Sequence, residues 1–270
     1  MRNAKIERLS ASNINSFINN YDQWYETYLL GKPLEPNIYL VGGTAVHEFL
    51  ENFYAQGPKT GESIRDFATR RFKECWVEYI ENNEEFVKFA SEEDAPYTLS
   101  DAQKWLTTKV QVWVDETTRL EEKYGSENAF RYNSPVYNEE EFILETGGVN
   151  VKGFIDAVFK HDKWKKQRGL EYTLVDYKTS SKQFGTIPAE YYIQLLIYAL
   201  YYKQKRRKCQ WVVVDYIKYN SKYFFRVTDD ELDKLQLMIQ DVWEEIQEVV
   251  EKYNRGEDVS EYKPRSKYWW

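Results

Sequence analysis

Two aspartates and a lysine near the middle of the chain have the residue types and spacing of a metal-dependent hydrolytic site. Asp176 and Lys178 are separated by one residue in an extended, apolar run, and alternate residues of a strand project from the same face. Asp156 lies in the preceding extended run, and a hairpin would bring it beside Asp176. Two carboxylates and the main-chain carbonyl of Tyr177 are hard oxygen ligands that suit Mg²⁺ or Mn²⁺. Lys178 could then orient and help deprotonate a metal-bound water.

An isolated Asp-x-Lys pair is more often part of a solvated strand face, so its neighbours matter. The run Gly42-Gly43-Thr44-Ala45-Val46-His47 continues to Glu51, one helical turn after His47. This spacing places an imidazole and a carboxylate on one helix face, and a neutral imidazole is a further metal ligand. The alternative is a helix histidine with no ligand.

Two further elements follow the same order along the chain. Gly153 precedes Asp156 by three residues, and a glycine permits close backbone approach, although a simple hairpin glycine would look the same. Gln194 and Tyr198 are four residues apart on a predicted helix after the Asp-x-Lys strand, where they share a face. That pair alone would be an ordinary helix surface.

Taken in order, the elements Gly-Thr-x-x-His, Gly-x-x-Asp, Asp-Tyr-Lys-Thr and Gln-x-x-x-Tyr resemble the RecB-like branch of the PD-(D/E)XK nuclease superfamily. The resemblance is closest to small stand-alone exonucleases of phages and of mitochondrial genome maintenance. It implies a restriction-endonuclease-like α/β fold, in which helices flank a mixed central β-sheet, and a metal-dependent DNA nuclease. By position it implies the metal ligands His47, Asp156 and Asp176, the catalytic Lys178, the supporting and DNA-contacting Gln194 and Tyr198, and an assisting Glu51.

The sequence departs from some members of this branch. The CRISPR adaptation and AddB-type nucleases hold an iron–sulfur cluster with four cysteines, whereas this chain has two, Cys75 and Cys209. We therefore expect Mg²⁺ or Mn²⁺ as the cofactor and no iron–sulfur cluster. A Walker A motif is also absent from the sequence, which argues against a helicase-fused RecB chain.

The elements that must position these residues change character along the chain. Apolar periodicity predicts helices in the first half and extended runs from Pro135 onward. The predicted helices cover an aromatic stripe from Ile14 to Tyr28, then about 43–54, 61–83, 97–123, 189–205 and a final helix opened by Thr228. The predicted strands cover 136–145, 149–159, 171–179, 211–219 and 222–227. We expect one domain over 1–270, mainly helical in 1–133, with the catalytic sheet core and C-terminal helix in 134–270.

Composition and charge limit the function classes. A length of 270 residues excludes a miniprotein, and a mean hydropathy of -0.73 with no long apolar run predicts neither a membrane span nor a signal peptide. We expect a cytoplasmic protein. The net charge of -7 conceals a basic segment, 152–208, with 13 Lys/Arg against 5 Asp/Glu. Lys182 and the run Lys203–Lys208 could meet DNA phosphates there, although that run could also be a solvated helix end.

These features together predict a Mg²⁺- or Mn²⁺-dependent deoxyribonuclease. The expected substrate is DNA that is single-stranded or has free ends, in recombination, repair or phage DNA metabolism, with a recombination or single-strand-binding protein as a possible partner. The aromatic stripe could stack unpaired bases, or it could be core. The alternatives are a sequence- or structure-specific endonuclease and a catalytically silent DNA-binding module of the same fold.

Overall fold

The computed structural model describes residues 3–34, 38–79, 99–160, 172–179 and 187–268. Its helices are α1 (Ala11–Asn19), α2 (Tyr21–Trp24), α3 (Ile38–Gln56), α4 (Ile64–Tyr79), α5 (Leu99–Tyr124), α6 (Ser126–Asn133), α7 (Ala189–Gln204) and α8 (Asp229–Asn254). Its strands are β1 (Arg8–Leu9), β2 (Tyr137–Thr146), β3 (Val149–Lys160), β4 (Tyr172–Lys178), β5 (Cys209–Tyr216) and β6 (Ser221–Arg226). A π-helical turn extends α2 over Tyr25–Leu29, and a 3₁₀ turn follows β5 over Ile217–Tyr219.

The strands form one mixed sheet. Strand β3 pairs antiparallel with β2 and with β4, β4 pairs parallel with β5, and β5 pairs antiparallel with β6. The short β1 pairs parallel with β3 at Asn150 and Val151. Because β2 follows one side of β3 from Val149 to Val158, β1 and β4 share the other side. No described strand pairs with residues 152–156 on that side.

Helices cover both faces of the sheet because its central strands are apolar on both faces. Leu174 and Val212 face a core completed by α1, α2, α7 and α8. Val175 and Val213 face a second core completed by α3, α4, α5 and α6. Alternating residues of β4 and β5 thus point to opposite cores, as expected for strands buried on both sides. The mixed sheet flanked by helices is the predicted fold class.

Local signals in the sequence explain two boundaries in the C-terminal half of the chain. Gly147 and Gly148 both have positive φ, 55° and 75°, which suits the two-residue turn that joins β2 to β3. At the start of α8, Thr228 and Glu231 form a reciprocal capping box, as the predicted Thr228 start implies. The Gly147-Gly148 turn fixes the register of the β2–β3 hairpin, which carries Asp156.

Some predicted boundaries in the N-terminal half are wrong. Helix α3 begins at Ile38 instead of about Gly43, so the glycines lie inside it. The aromatic stripe is divided at Asn20, whose side chain caps α2. Phe17 and Trp24 in this stripe are fully buried, so this part of the stripe is core, whereas Tyr28 at its end is half-buried. Strand β1 and helix α6 have no counterpart in the prediction. Within the described ranges, none of the helices combines the length and apolarity that a membrane span requires.

Candidate active site

The site lies where β3 and β4 separate. Their last pair is Ala157 with Val175, and the same register would place Asp156 opposite Asp176. The strands diverge there instead, and Asp156 Oδ2 accepts a hydrogen bond of 2.6 Å from the backbone N–H of Tyr177. This bond ties the two strands across the fork. Asp156 and Asp176 are both buried, with 7% and 1% exposure.

Helix α3 brings His47 to the fork. Its Nδ1 lies 3.6 Å from Asp156 Oδ1, and its ring lies edge-on to that of Tyr177, with 6.3 Å between the centroids. Gly43 of the same helix lies next to the end of β4, where an added Cβ would make an ordinary van der Waals contact of 3.4 Å with Thr179 Oγ1. The glycine and the histidine of the Gly-Thr-x-x-His element both lie beside β4.

Glu139 is a site residue that the sequence analysis missed. Its Oε1 lies 3.8 Å from His47 Nδ1, and one ligand atom each from His47, Glu139 and Asp156 lie within 4.8 Å of one another. A signal was available in the sequence, because a two-residue turn at Gly147-Gly148 pairs Thr146 with Val149. Counting back along the hairpin from that pair places Glu139 opposite Asp156.

Lys178 stands on the other side of the fork from His47. Its Nζ lies 2.6 Å from Asp176 Oδ2 and donates a 3.1 Å hydrogen bond to Gln194 Oε1. It also lies 4.4 Å from the ring centroid of Tyr191, a cation–π distance. Gln194 in turn donates to the hydroxyl of Tyr198 at 2.6 Å. Of the helix pair predicted to support the site, Gln194 contacts the lysine and Tyr198 contacts Gln194.

Gly153 supports this arrangement from β3. An added Cβ there would lie 2.7 Å from the ring of Phe142, which packs edge-on against Tyr198 with 5.7 Å between centroids. The group that approaches this glycine closely is therefore the ring of Phe142. Phe142 in turn holds the ring of Tyr198, whose hydroxyl positions Gln194.

Charges in this small space shift the pKa values of its groups. Burial raises the pKa of Asp176 to about 6, helped by the nearby Asp156 and opposed by Lys178. Burial alone would lower the pKa of His47 and of Lys178, because it disfavours their cationic forms. The negative charges of the nearby aspartates raise both pKa values by more. The pKa of His47 rises to about 10 and that of Lys178 also rises. Without an added cation, both bases therefore carry their protons at neutral pH.

Asp176 Oδ2 is a buried oxygen that lacks a partner of hydrogen-bond geometry in the described chain, although Lys178 approaches it closely. Buried carboxylate oxygens are normally satisfied by donors or by a metal ion. Asp176 stands apart from the three-ligand group of His47, Glu139 and Asp156. Its role as a ligand stays a prediction, as does that of the Tyr177 carbonyl.

A groove of about 890 Å³ opens from the fork along the unpaired side of β3. Asp156, Gln194 and Tyr198 border it at the fork, and the segment from Lys5 to Ser16 forms its opposite wall. Arg8 and Lys152 line it together with the acids Glu7 and Glu190, and Lys152 forms an ion pair with Glu141. The groove is large enough for part of a nucleic-acid strand.

The remaining predicted residues have different positions. Tyr198 is 2% exposed, and its hydroxyl accepts a hydrogen bond from Gln194. Contact of either residue with DNA stays a prediction. Glu51 lies near Glu48 and Glu139. Its pKa is raised, mainly by burial and to a smaller extent by the negative charges of these two acids. Lys182 lies outside the described residues. The two cysteines pack on opposite faces of the sheet, so they do not share a site.

Comparison with known proteins agrees with this geometry. The family model described as the PD-(D/E)XK nuclease superfamily matches residues 8–262. A solved structure from Eubacterium rectale, described as a "Putative exonuclease", is similar over 93% of this chain and 83% of its own, with 15% identity and a TM-score of 0.52. At this identity the likeness shows the fold alone.

Other comparisons add little. The crystal structure of SSO0001 aligns over 78% of each chain with 12% identity and a TM-score of 0.28, a likeness too low to support an argument. No curated protein matches the sequence. The family match, however, covers every residue at the fork and nearly the whole chain. The chain therefore belongs to the PD-(D/E)XK nuclease superfamily.

Proposed function

We propose that this protein is a Mg²⁺- or Mn²⁺-dependent deoxyribonuclease that degrades DNA from free ends or within single strands. The observation that carries this proposal is the fork, where two buried aspartates, a histidine, a glutamate and a lysine converge at the separation of β3 and β4. Such a concentration of buried charge is unfavourable without a counter-ion. It is typical of a functional site.

The residues at the fork fit a divalent cation. His47, Glu139 and Asp156 would hold it, and Asp176, which pairs with Lys178, would join them through a carboxylate oxygen. Carboxylate oxygens with one imidazole suit Mn²⁺, and carboxylates alone suit Mg²⁺. When bound, such an ion lowers the pKa of a coordinated water and stabilises negative charge on a phosphate.

The chain's own residues would position the reaction. Lys178, held between Asp176 and Gln194, places an ammonium where charge develops on the scissile phosphate. Because its pKa is raised, Lys178 serves better as a proton donor and electrostatic partner than as a free base. Asp156 fixes the width of the fork through the Tyr177 N–H.

The shape of the groove supports a substrate with a free end or a single strand. The segment from Lys5 to Ser16 faces β3 across the groove, which confines a strand on two sides. Recombination, repair or phage DNA metabolism are the processes that need such an activity. The putative-exonuclease description of the Eubacterium rectale protein is compatible with this proposal.

The decisive experiment is a cleavage assay on end-labelled linear DNA, single- and double-stranded, beside covalently closed circular duplex. We expect degradation of the linear substrates with Mg²⁺ or Mn²⁺, none in EDTA, and survival of the closed circle. Equal cleavage of linear and closed circular duplex would indicate an endonuclease. Metal binding without cleavage of any DNA would indicate a catalytically silent module.

A further inference from the structure

A second cluster of cations lies at the other end of the sheet from the fork. Lys203, Arg206, Arg207, Lys208 and Arg226 line a cleft of about 580 Å³, where Asp229 is the acid among the lining residues. Tyr172, at the start of β4, pairs with Cys209 beside this cleft, whereas Lys178, at the end of β4, pairs with Tyr216. Six residues of strand separate the two ends by about 20 Å.

The cations of this cleft differ in whether their side chains form ion pairs with other described residues. Lys203 forms an ion pair of 2.8 Å with Asp229, and Arg207 contacts Glu140 at 3.3 Å. By contrast, Arg206, Lys208 and Arg226 are exposed and form no side-chain hydrogen bond or ion pair with another described residue. Three unpaired cations around one concave surface create a positive potential that attracts a polyanion.

Arg206 has a backbone conformation that residues other than glycine rarely adopt. Its φ is +56°, and it stands just after α7 in a turn where Arg206 N bonds to Lys203 O and Arg207 N bonds to Tyr202 O, both at 2.9 Å. Glycine is the usual residue at this point of such a helix end, because side chains disfavour positive φ. An arginine here is better explained by what its guanidinium binds than by the stability of the turn.

Arg207 gives the cleft a rigid wall. Its guanidinium lies over the rings of Tyr137, Tyr172 and Tyr202, at 5.2, 5.7 and 5.2 Å from their centroids. It also donates to Glu140. Because Arg207 is held by these contacts, the neighbouring Arg206 and Lys208 start from a fixed segment. A preorganised cluster of this kind loses less side-chain entropy when an anion binds.

We propose that this cleft binds the sugar–phosphate backbone of the DNA substrate at a distance from the site of cleavage. The inference rests on the proposed nuclease function, and it names a second contact surface for the same substrate. Guanidinium and ammonium groups are the side chains that contact phosphates. A distance of about 20 Å corresponds to roughly six nucleotide steps of a B-form strand, so only longer substrates reach both the fork and the cleft.

The test compares substrates of two lengths. Fluorescence anisotropy in EDTA measures the affinity for single-stranded oligonucleotides of about 4 and about 20 nucleotides, which lie on either side of this span. We expect Arg206→Gly and Arg226→Ala each to weaken binding of the long oligonucleotide about fivefold and to reduce the salt dependence of its affinity by about one phosphate contact. Mg²⁺-dependent cleavage of the short oligonucleotide, which cannot reach from the fork to the cleft, should not change.

The variants are chosen to separate binding from folding. Glycine suits the positive φ of residue 206, so the melting temperature of Arg206→Gly should equal or exceed that of the wild type. Arg119→Ala removes an exposed arginine from α5, on the other face of the sheet, and should leave both affinities unchanged. It controls for net charge.

The outcomes distinguish this inference from the proposed function. A wild type that neither binds nor cleaves any DNA overturns the nuclease proposal and this inference with it. If the wild type cleaves short DNA and the cleft variants bind long DNA as tightly as the wild type does, the proposed role of the cleft is overturned and the nuclease proposal stands. An equal loss in Arg119→Ala has the same consequence. A cleft that instead binds an acidic peptide, with no dependence on DNA length, also overturns it.

Discussion

Two buried carboxylates in this protein have opposite environments. Glu245 in α8 is 3% exposed and accepts four hydrogen bonds, from the hydroxyls of Tyr262 and Ser266 and from the backbone N–H groups of Arg265 and Ser266. Asp176 is 1% exposed, with a neighbouring acid and one lysine. Although burial acts against both charges, the pKa of Glu245 is lowered, whereas that of Asp176 rises to about 6.

The difference shows what each region is built to hold. Four donors satisfy the carboxylate of Glu245, so the C-terminal segment is attached to α8 without any further group. At the fork Asp176 has one cationic partner, Lys178, and the carboxylate of Asp156 lies nearby. A carboxylate with a like charge beside it is the environment that a bound cation would stabilise. The following predictions test the contrast, from the largest expected effect to the smallest.

Replacing Asp176 by asparagine should have the largest effect. The neutral amide would remove a charged oxygen from the proposed metal site, so we expect DNA cleavage to fall by about a thousandfold or more. End-labelled linear DNA with Mg²⁺ or Mn²⁺ gives the measurement. Cleavage at the wild-type rate would show that Asp176 is a structural acid like Glu245.

Asp215 offers a matched control for this variant. It is also 1% exposed, lies in the adjacent strand β5, has a raised pKa because of its burial, and pairs with Lys222 at 3.2 Å. It faces the other side of the sheet, with Tyr177. Asp215→Asn should therefore change stability and keep cleavage within a few-fold of the wild type. A comparable loss of cleavage would remove the distinction between the two faces.

Replacing Lys178 by alanine should lower the cleavage rate by about a hundredfold to a thousandfold while DNA and metal binding persist. Its ammonium is placed to stabilise charge in the transition state, which affects the rate more than the affinity. Single-turnover cleavage and equilibrium DNA binding separate the two quantities. Parallel losses of rate and affinity would mean that Lys178 holds the ground-state complex instead.

Stabilisation of the protein by a divalent cation should depend on pH. The pKa of Asp176 is raised from 3.8 to about 6, so the folded protein binds this proton more tightly than the unfolded chain. The contribution of Asp176 to the stability of the metal-free protein therefore falls as pH rises from about 4 to about 6 and stays lower above, by up to about 3 kcal/mol. Mn²⁺ should raise the melting temperature more at pH 8 than at pH 5. An equal rise at both pH values in thermal melts would count against this prediction.

Replacing Glu245 by glutamine should affect stability alone, with the opposite dependence on pH. Because its pKa is lowered, the ionised Glu245 stabilises the fold above the unfolded pKa near 4.5, and this stabilisation is lost as pH falls below it. We expect a loss of about 1–3 kcal/mol at pH 7, a smaller loss in acid, and unchanged cleavage. Urea unfolding at the two pH values measures this difference, and a constant loss would indicate a packing effect.

The sequence predicts much of the catalytic half because its signals are local. The end of β2 alternates between buried and exposed residues and β6 between half-buried and exposed ones, β4 and β5 are short apolar runs, and turn glycines and the Thr228 cap mark further boundaries. The N-terminal half is harder to predict because tertiary contacts set its boundaries. Strand β1 consists of two residues and exists through its pairing with β3. Helix α3 includes two glycines that a helix disfavours when isolated.

The site shows the same limit. The types and order of Asp156, Asp176 and Lys178 are visible in the sequence, and so is the support from Gln194. The inclusion of Glu139 follows from hairpin register, which the two-glycine turn encodes but which residue types alone do not reveal. The position of Lys203–Lys208 at the far end of α7 could not be known without the direction of that helix relative to β4.

The unpaired side of β3 has a consequence for how this groove can evolve. Between its pairings with β1 and β4, alternate residues of 152–156 direct main-chain donors and acceptors away from β2, and no described strand pairs with them there. Every residue type except proline carries both groups. Substitutions at Lys152 or Phe154 would therefore leave this main-chain hydrogen-bonding capacity intact, whereas Gly153 and Asp156 are constrained by the ring of Phe142 and by the fork. The main chain of this segment can thus stay constant while side chains along the groove, such as Arg8 and Lys152, change one residue at a time.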